Sequence, residues 1–123
     1  MKIFLVSEDE IRLEVTPGPM TIEADSYEMI YSPYHMLASS LATCTFGVLS
    51  SWASQAKLNA EDLTISVSWT FGEKPHRVDA MKLRFHWPSL PAERRKAAER
   101  AASLCPVHHT LSQSPEIVIE AAP

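Results

Sequence analysis

With 123 residues, 46% of them apolar, the chain has material for one domain around one core, and a monomer of this size leaves a large share of its surface wet. The 11 basic and 15 acidic residues give a formal net charge of −4 with no long run of like charge, which argues against a nucleic-acid partner. Met1-Lys2 is followed only by the apolar stretch Ile3 to Val6 before Ser7-Glu8-Asp9-Glu10, so neither a signal-peptide core nor a membrane span fits, and a cytoplasmic location is expected.

In chain order, the segments Lys2 to Ser7, Glu10 to Thr16 and Met20 to Asp25 alternate apolar and polar residues around the turn Thr16-Pro17-Gly18-Pro19, which predicts a β-meander. Ile11, Leu13 and Val15 share one face of the second segment and Arg12 and Glu14 the other, as in a sheet wet on one side. Ser32-Pro33 then supplies an N-cap and a first helical residue, and the helix is expected to run to about Lys57. Between His35 and Lys57 no charged residue appears, so this helix must be enclosed by protein on all sides. One small sheet covers one side only, and dimerisation is the economical way to cover the rest.

Asp62 to Phe71 and Val78 to Trp87 read as two long strands of a hairpin around Gly72-Glu73-Lys74-Pro75. A surface helix is expected over Ala92 to Leu104, its charged side holding Glu93, Arg94, Lys96, Glu99 and Arg100 as a solvated face. Cys105-Pro106 breaks it and starts a third, short helix through about Leu111, and Pro115 to Ala121 is expected to close the chain as a strand. Without repeats, low-complexity stretches or linkers, residues 1–123 are taken as a single α+β domain.

The function question lies with the two cysteines, Cys44 and Cys105. In a chain without a secretory signal they can be inert core residues, metal ligands or redox groups. Cys44 sits mid-helix among apolar residues, where burial favours the neutral thiol, and taken alone it reads first as a small core hydrophobe. Cys105 precedes a helical proline, and as an N-cap it would meet free backbone N–H groups that favour thiolate; a spectator thiol at a turn fits as well. If the two meet, oxidation of one to sulfenic acid followed by attack of the other yields a disulfide and water. Cys105, His108 and His109 place three metal-binding side chains within five residues, but a closed zinc site needs four ligands and no second cluster is visible, so no metal is expected. His76 and His86 carry no motif.

The segment from Ser32-Pro33-Tyr34-His35 through Ala42-Thr43-Cys44-Thr45 resembles the OsmC/Ohr signature, in which an asparagine- or serine-proline entry leads a buried helix to a cysteine. Leu104-Cys105-Pro106-Val107 is similar to that family's second motif, and the order of elements matches over nearly the whole chain. The resemblance implies an OsmC/Ohr-like fold, antiparallel sheets wrapped around buried central helices in an intertwined homodimer with active sites at the subunit boundary. It also implies thiol-dependent reduction of organic hydroperoxides, with Cys44 peroxidatic, Cys105 resolving, no cofactor, and electrons from an external dithiol.

The family's well-characterised peroxidases follow the helix-entry proline with a glutamate, paired with an arginine from the N-terminal strands, and here that glutamate position is Tyr34. Three groups could substitute in activating Cys44: Arg12 from either subunit, His35, or the phenol of Tyr34, each of which also reads as a surface or packing residue. Two functions follow as expectations: a thiol peroxidase, or a binding or sensing protein that keeps an apolar inter-subunit pocket and has lost fast peroxide chemistry.

Overall fold

A computed structural model describes residues 1–123. Its strands are β1 (Lys2–Ser7), β2 (Glu10–Glu14), β3 (Thr21–Ala24), β4 (Thr64–Gly72) and β5 (Arg77–His86). Its helices are α1 (Pro33–Gln55), α2 (Arg95–Ala102, entered by a 3-10 turn at Ala92–Arg94) and α3 (Pro106–Ser112). The fold is α+β: the strands form one sheet in the order β3-β1-β2-β4-β5, and α1 lies across one face of it.

Strand register is set by apolar alternation. Ile3 faces Leu13, Leu5 faces Ile11, Ile11 faces Val67, and Leu13 faces Ile65, so these side chains all point to the side that α1 covers. The sheet is extended outward by β5, with Ile65 opposite Phe85 and Val67 opposite Leu83. One cluster of 17 buried residues joins this face to Ala38, Leu41, Ala42, Leu49 and Ala53 of α1, to Ala98 and Ala101 of α2, and to Cys105.

The N-terminal third is not a meander. β1 and β2 are antiparallel, but β3 runs parallel to β1, with Lys2 beside Thr21 and Leu5 beside Ala24. The reason is that β2 gives its second edge to β4, leaving only β1's outer edge. The turn through Gly18, at φ 102°, passes round the start of the chain, where the Met1 amino group donates to the Thr16 carbonyl and Thr21 N–H to that of Met1. The sheet expected to be antiparallel is therefore mixed.

At the start of α1 the Ser32 hydroxyl accepts the His35 N–H at 3.2 Å while Nδ1 of His35 accepts the Ser32 N–H at 3.1 Å, a capping box with histidine in the usual glutamate place. At its other end Lys57, at φ 58°, takes the left-handed position of a Schellman motif, with Leu58 N–H to Ala53 and Lys57 N–H to Ser54. The helix is long and apolar enough to cross a membrane by length and composition, yet one face packs on the sheet.

Within one chain α1 is not enclosed on all sides. Met36, Ser40, Thr43, Gly47 and Ser51, spaced by three or four residues, form an exposed stripe opposite the packed face. The surface helix is shorter than the expected span to Leu104. Nor does Pro115 to Ala121 form a strand: no sheet edge of the same chain receives it, and Ile117, Val118 and Ile119 are 77%, 68% and 92% exposed.

Candidate active site at the Cys44 and Cys105 thiols

The fold brings together two sulfurs 61 positions apart in sequence. Cys44 lies on the side of α1 that meets α3, and Cys105 is the N-cap of α3, at φ −65° and ψ 125°, with Pro106 as the first helical residue. The cap bond is direct: the His108 N–H donates to Cys105 Sγ at 3.4 Å. Both cysteines are free thiols, and their side chains lie near enough for each to shift the other's proton affinity.

Their surroundings differ. Cys105 has none of its surface exposed, whereas Cys44 is half-buried and borders two shallow hollows, one with Leu104 and Pro106, the other with Val107 and Ile22. Burial pushes the Cys44 thiol up, and the hydrogen bond to Cys105 adds to this, against a smaller opposing effect of the Val107 N–H. Burial acts in the same sense on Cys105 but is outweighed by the neighbouring Cys44 thiol, by the His108 N–H that donates to its sulfur, and by the nearby Thr45 and Val107, which together hold its thiol below the ordinary value.

Thr45 carried no signal in the sequence beyond adjacency to Cys44. It is 2% exposed and donates to the Leu41 carbonyl at 2.8 Å, the usual bond of a mid-helix threonine, while its oxygen is also within reach of Cys105.

The three groups considered as activators of Cys44 are elsewhere. Arg12 points from the sheet face opposite α1, because its neighbours Ile11 and Leu13 point inward; Nε binds Glu14 at 2.8 Å and the guanidinium lies 4.9 Å over Phe4. His35 is 2% exposed and fully occupied: Nε2–H donates to the Ser7 carbonyl at 2.8 Å, and Nδ1 accepts from Ser32. That network assigns the neutral Nε2–H tautomer and makes His35 a structural link between α1 and the end of β1. Tyr34 stacks edge-on against Phe71 at 4.8 Å, and a rise of about 1.5 Å per residue puts it about 15 Å along α1 from Cys44. Within the chain none of the three touches either sulfur.

No group of three or more metal-binding side chains converges, and the rings of His108 and His109 point outward from α3. Beside the pair, an open groove of about 530 Å³ runs between Leu37, Leu41 and Thr45 of α1 and Met81, Leu83 and Phe85 of β5. It is mainly apolar and reaches Thr45, next to Cys44, and His108, whose N–H caps Cys105.

The family model for OsmC-like proteins matches residues 25–120. No curated protein matches the chain. Among solved structures, the chain is similar to an osmotic stress induced and detoxification response protein from Psychrobacter arcticus, with TM-score 0.62 and 24% identity over 68% of this chain and 62% of that one. It is also similar to an OsmC-like hydroperoxide resistance protein from Jannaschia sp., with TM-score 0.55 and 19% identity over 76% of this chain and 67% of that one. The chain thus spans less than two thirds of the length of the first of these, and at such identities the likeness is one of fold. Because the family model takes in well over half of the sequence, including both cysteine motifs, the chain belongs to the OsmC-like protein family.

Proposed function

We propose that the protein is a thiol-dependent peroxidase that reduces organic hydroperoxides through a Cys44–Cys105 dithiol-disulfide cycle. The observation that carries this reading is the pairing of one reachable sulfur with one buried, hydrogen-bonded sulfur. Cys44 attacks the terminal peroxide oxygen, the O–O bond breaks, an alcohol leaves, and Cys44 becomes a sulfenic acid. Cys105 then attacks the Cys44 sulfur, forming the disulfide and releasing water, and an external dithiol restores both thiols. Family membership and the neighbour described as a hydroperoxide resistance protein support the reaction class.

A homodimer, intertwined and cytoplasmic, completes the proposal. The exposed stripe of α1 and the uncovered Ile117 to Ile119 are surfaces that a second copy would cover. The test is to mix reduced protein with slightly more than one equivalent of cumene hydroperoxide and follow free thiols and intact mass. Loss of both thiols with a mass two hydrogens lower is expected, and Cys44→Ser abolishes it. If Cys44 reacts no faster than a free model thiol and no disulfide forms, the peroxidase reading fails.

The apolar groove and the tyrosine in the glutamate position favour a second reading, a binding or sensing protein with slow thiol chemistry. It predicts saturable binding of an apolar ligand that Cys105→Ser leaves unchanged.

A further inference from the structure

Building on the peroxidase reading, we infer that the substrate lies in the hollow that Cys44 shares with Ile22, and that Ser39 on its wall binds an uncharged oxygen of that substrate, an ester or amide carbonyl, a few bonds from the O–O group. Ser39 is 6% exposed, and its Oγ is buried with no hydrogen-bond partner in the chain. A buried hydroxyl without a partner lowers stability, so its presence calls for a reason. Packing does not supply one: Ala38 and Ala42 beside it are buried alanines, and alanine would fill this position too without stranding a polar atom. Nor does the helix. The buried Thr45 returns its hydroxyl to the Leu41 carbonyl, whereas Ser39 makes no such bond to that of His35.

The place of Ser39 points to a ligand. The buried polar side-chain atoms without a partner belong to Thr16, Thr21, Ser39 and Trp69, and of these residues only Ser39 lines either hollow at Cys44. That hollow has apolar walls in Ile3, Ile22 and Val107, with Ser39, Thr43 and Cys44 along its α1 side. An apolar recess with a few placed polar groups is how small-molecule sites are built. No charged residue lines it, so a carboxylate there would lose hydration without gaining a cation, whereas a carbonyl oxygen needs only the hydroxyl as donor.

Ser39 precedes Cys44 by five residues, a rise of about 7.5 Å along α1. Its hydroxyl is therefore too far from the sulfur to touch the oxygen that Cys44 attacks, and it meets a group further along the substrate. Serine has a single side-chain torsion, so the hydroxyl can turn to that group without movement of the helix. What it adds is orientation: with the carbonyl held, the terminal peroxide oxygen faces Cys44. The hollow shares Met36, Ser40 and Thr43 with the exposed stripe of α1, so a second copy seated on the stripe would close its open side.

The test compares hydroperoxides that share a tertiary carbon: methyl β-hydroperoxyisovalerate, which carries an ester; β-hydroperoxyisovalerate, its carboxylate; and tert-amyl hydroperoxide, which has neither. Each is mixed with reduced wild type and with Ser39→Ala, and the rate of Cys44 oxidation is divided by the rate with free cysteine. In wild type the ester should react at least about tenfold faster than the other two, the discrimination open to one hydrogen bond made in a buried site. In Ser39→Ala that advantage should vanish. Equal rates in wild type, or an advantage that survives the substitution, would overturn the assignment. So would a Ser39→Ala protein that sediments as monomer where wild type is a dimer, since the hydroxyl would then serve the second copy. Failure of the peroxidase reading shows separately: if no hydroperoxide oxidises wild-type Cys44, the inert alcohol methyl β-hydroxyisovalerate still tests the hollow by shielding Cys44 from iodoacetamide. Shielding that Ser39→Ala loses would keep the site and discard the peroxidase; no shielding beyond that of tert-amyl alcohol would discard both.

Discussion

Replacing His35 by alanine separates a structural histidine from a catalytic one. The substitution removes the partner of the Ser7 carbonyl, at 2.8 Å, and of the Ser32 N–H, at 3.1 Å. Both of those residues are half-buried, so water can answer part of the loss, and each lost partner costs about 1 kcal/mol. The void beside Trp69, whose ring meets His35 edge-to-face at 5.2 Å, adds ~1 kcal/mol or more. The sum is about 3 kcal/mol, a large fraction of the ~5–15 kcal/mol that holds a domain together. At about 4 °C per kcal/mol for a domain near this size, the midpoint of thermal unfolding should fall by ~12 °C. His35→Gln, which can still reach a carbonyl, should recover part of that. Both are measured by urea and thermal unfolding at one fixed protein concentration, since association would move the midpoint. In parallel, the Cys44 oxidation rate per folded molecule should stay within about twofold of wild type, because the ring lies about 13 Å along α1 from that sulfur. A rate loss of tenfold or more with unfolding midpoints unchanged would refute the assignment and return His35 to the active site.

Three further outcomes are expected. Arg12→Ala should lower stability by no more than about 0.5 kcal/mol, because its ion pair with Glu14 is partly exposed, and should leave the Cys44 oxidation rate unaltered; a tenfold slower reaction would place the guanidinium at the thiol. Burial pushes the Asp62 carboxyl up, but the Ser89 hydroxyl and N–H, each at 2.7 Å, with the His86 charge, hold it below the ordinary range. Its folded pKa being the lower, the stability it contributes is present above the unfolded value, near 3.9, and is lost as pH falls through the folded one; Asp62→Asn should therefore differ from wild type in urea midpoint at pH 7 and converge with it in strong acid, and a constant gap would contradict this. Gly47 lies on the exposed stripe of α1 with nothing within 4 Å of an added Cβ, so Gly47→Glu should keep helix content and shift sedimentation from dimer toward monomer; an unchanged dimer would remove the stripe from the interface.

The sequence by itself determined the secondary elements where a periodic signal was backed by a local stop. Ser32-Pro33 placed the start of α1 because both residues act within one turn, and Cys105-Pro106 placed the N-cap of α3 for the same reason. The alternation of Ile11 with Leu13 and of Ile65 with Val67 settled which faces point inward. What local pattern could not carry was pairing. Nothing within Thr21–Ala24 says that β3 lies parallel to β1, since that follows from β4 occupying the edge of β2, a pairing of residues 50 or more apart in sequence. The strand expected over Pro115 to Ala121 shows the same limit from the other side: alternation supplies a face, but backbone N–H and C=O groups need an edge, and within this chain the segment pairs with neither outer edge of the sheet. The site divides likewise. Both cysteines and the N-cap setting of Cys105 were legible, while the separation of Arg12, Tyr34 and His35 from the sulfurs of the same chain, and the place of Thr45 beside Cys105, were decided only by tertiary structure. Proton transfer and nucleophilic attack depend on which groups stand within hydrogen-bond reach, and distance across a fold is fixed by packing between elements that the linear order leaves apart.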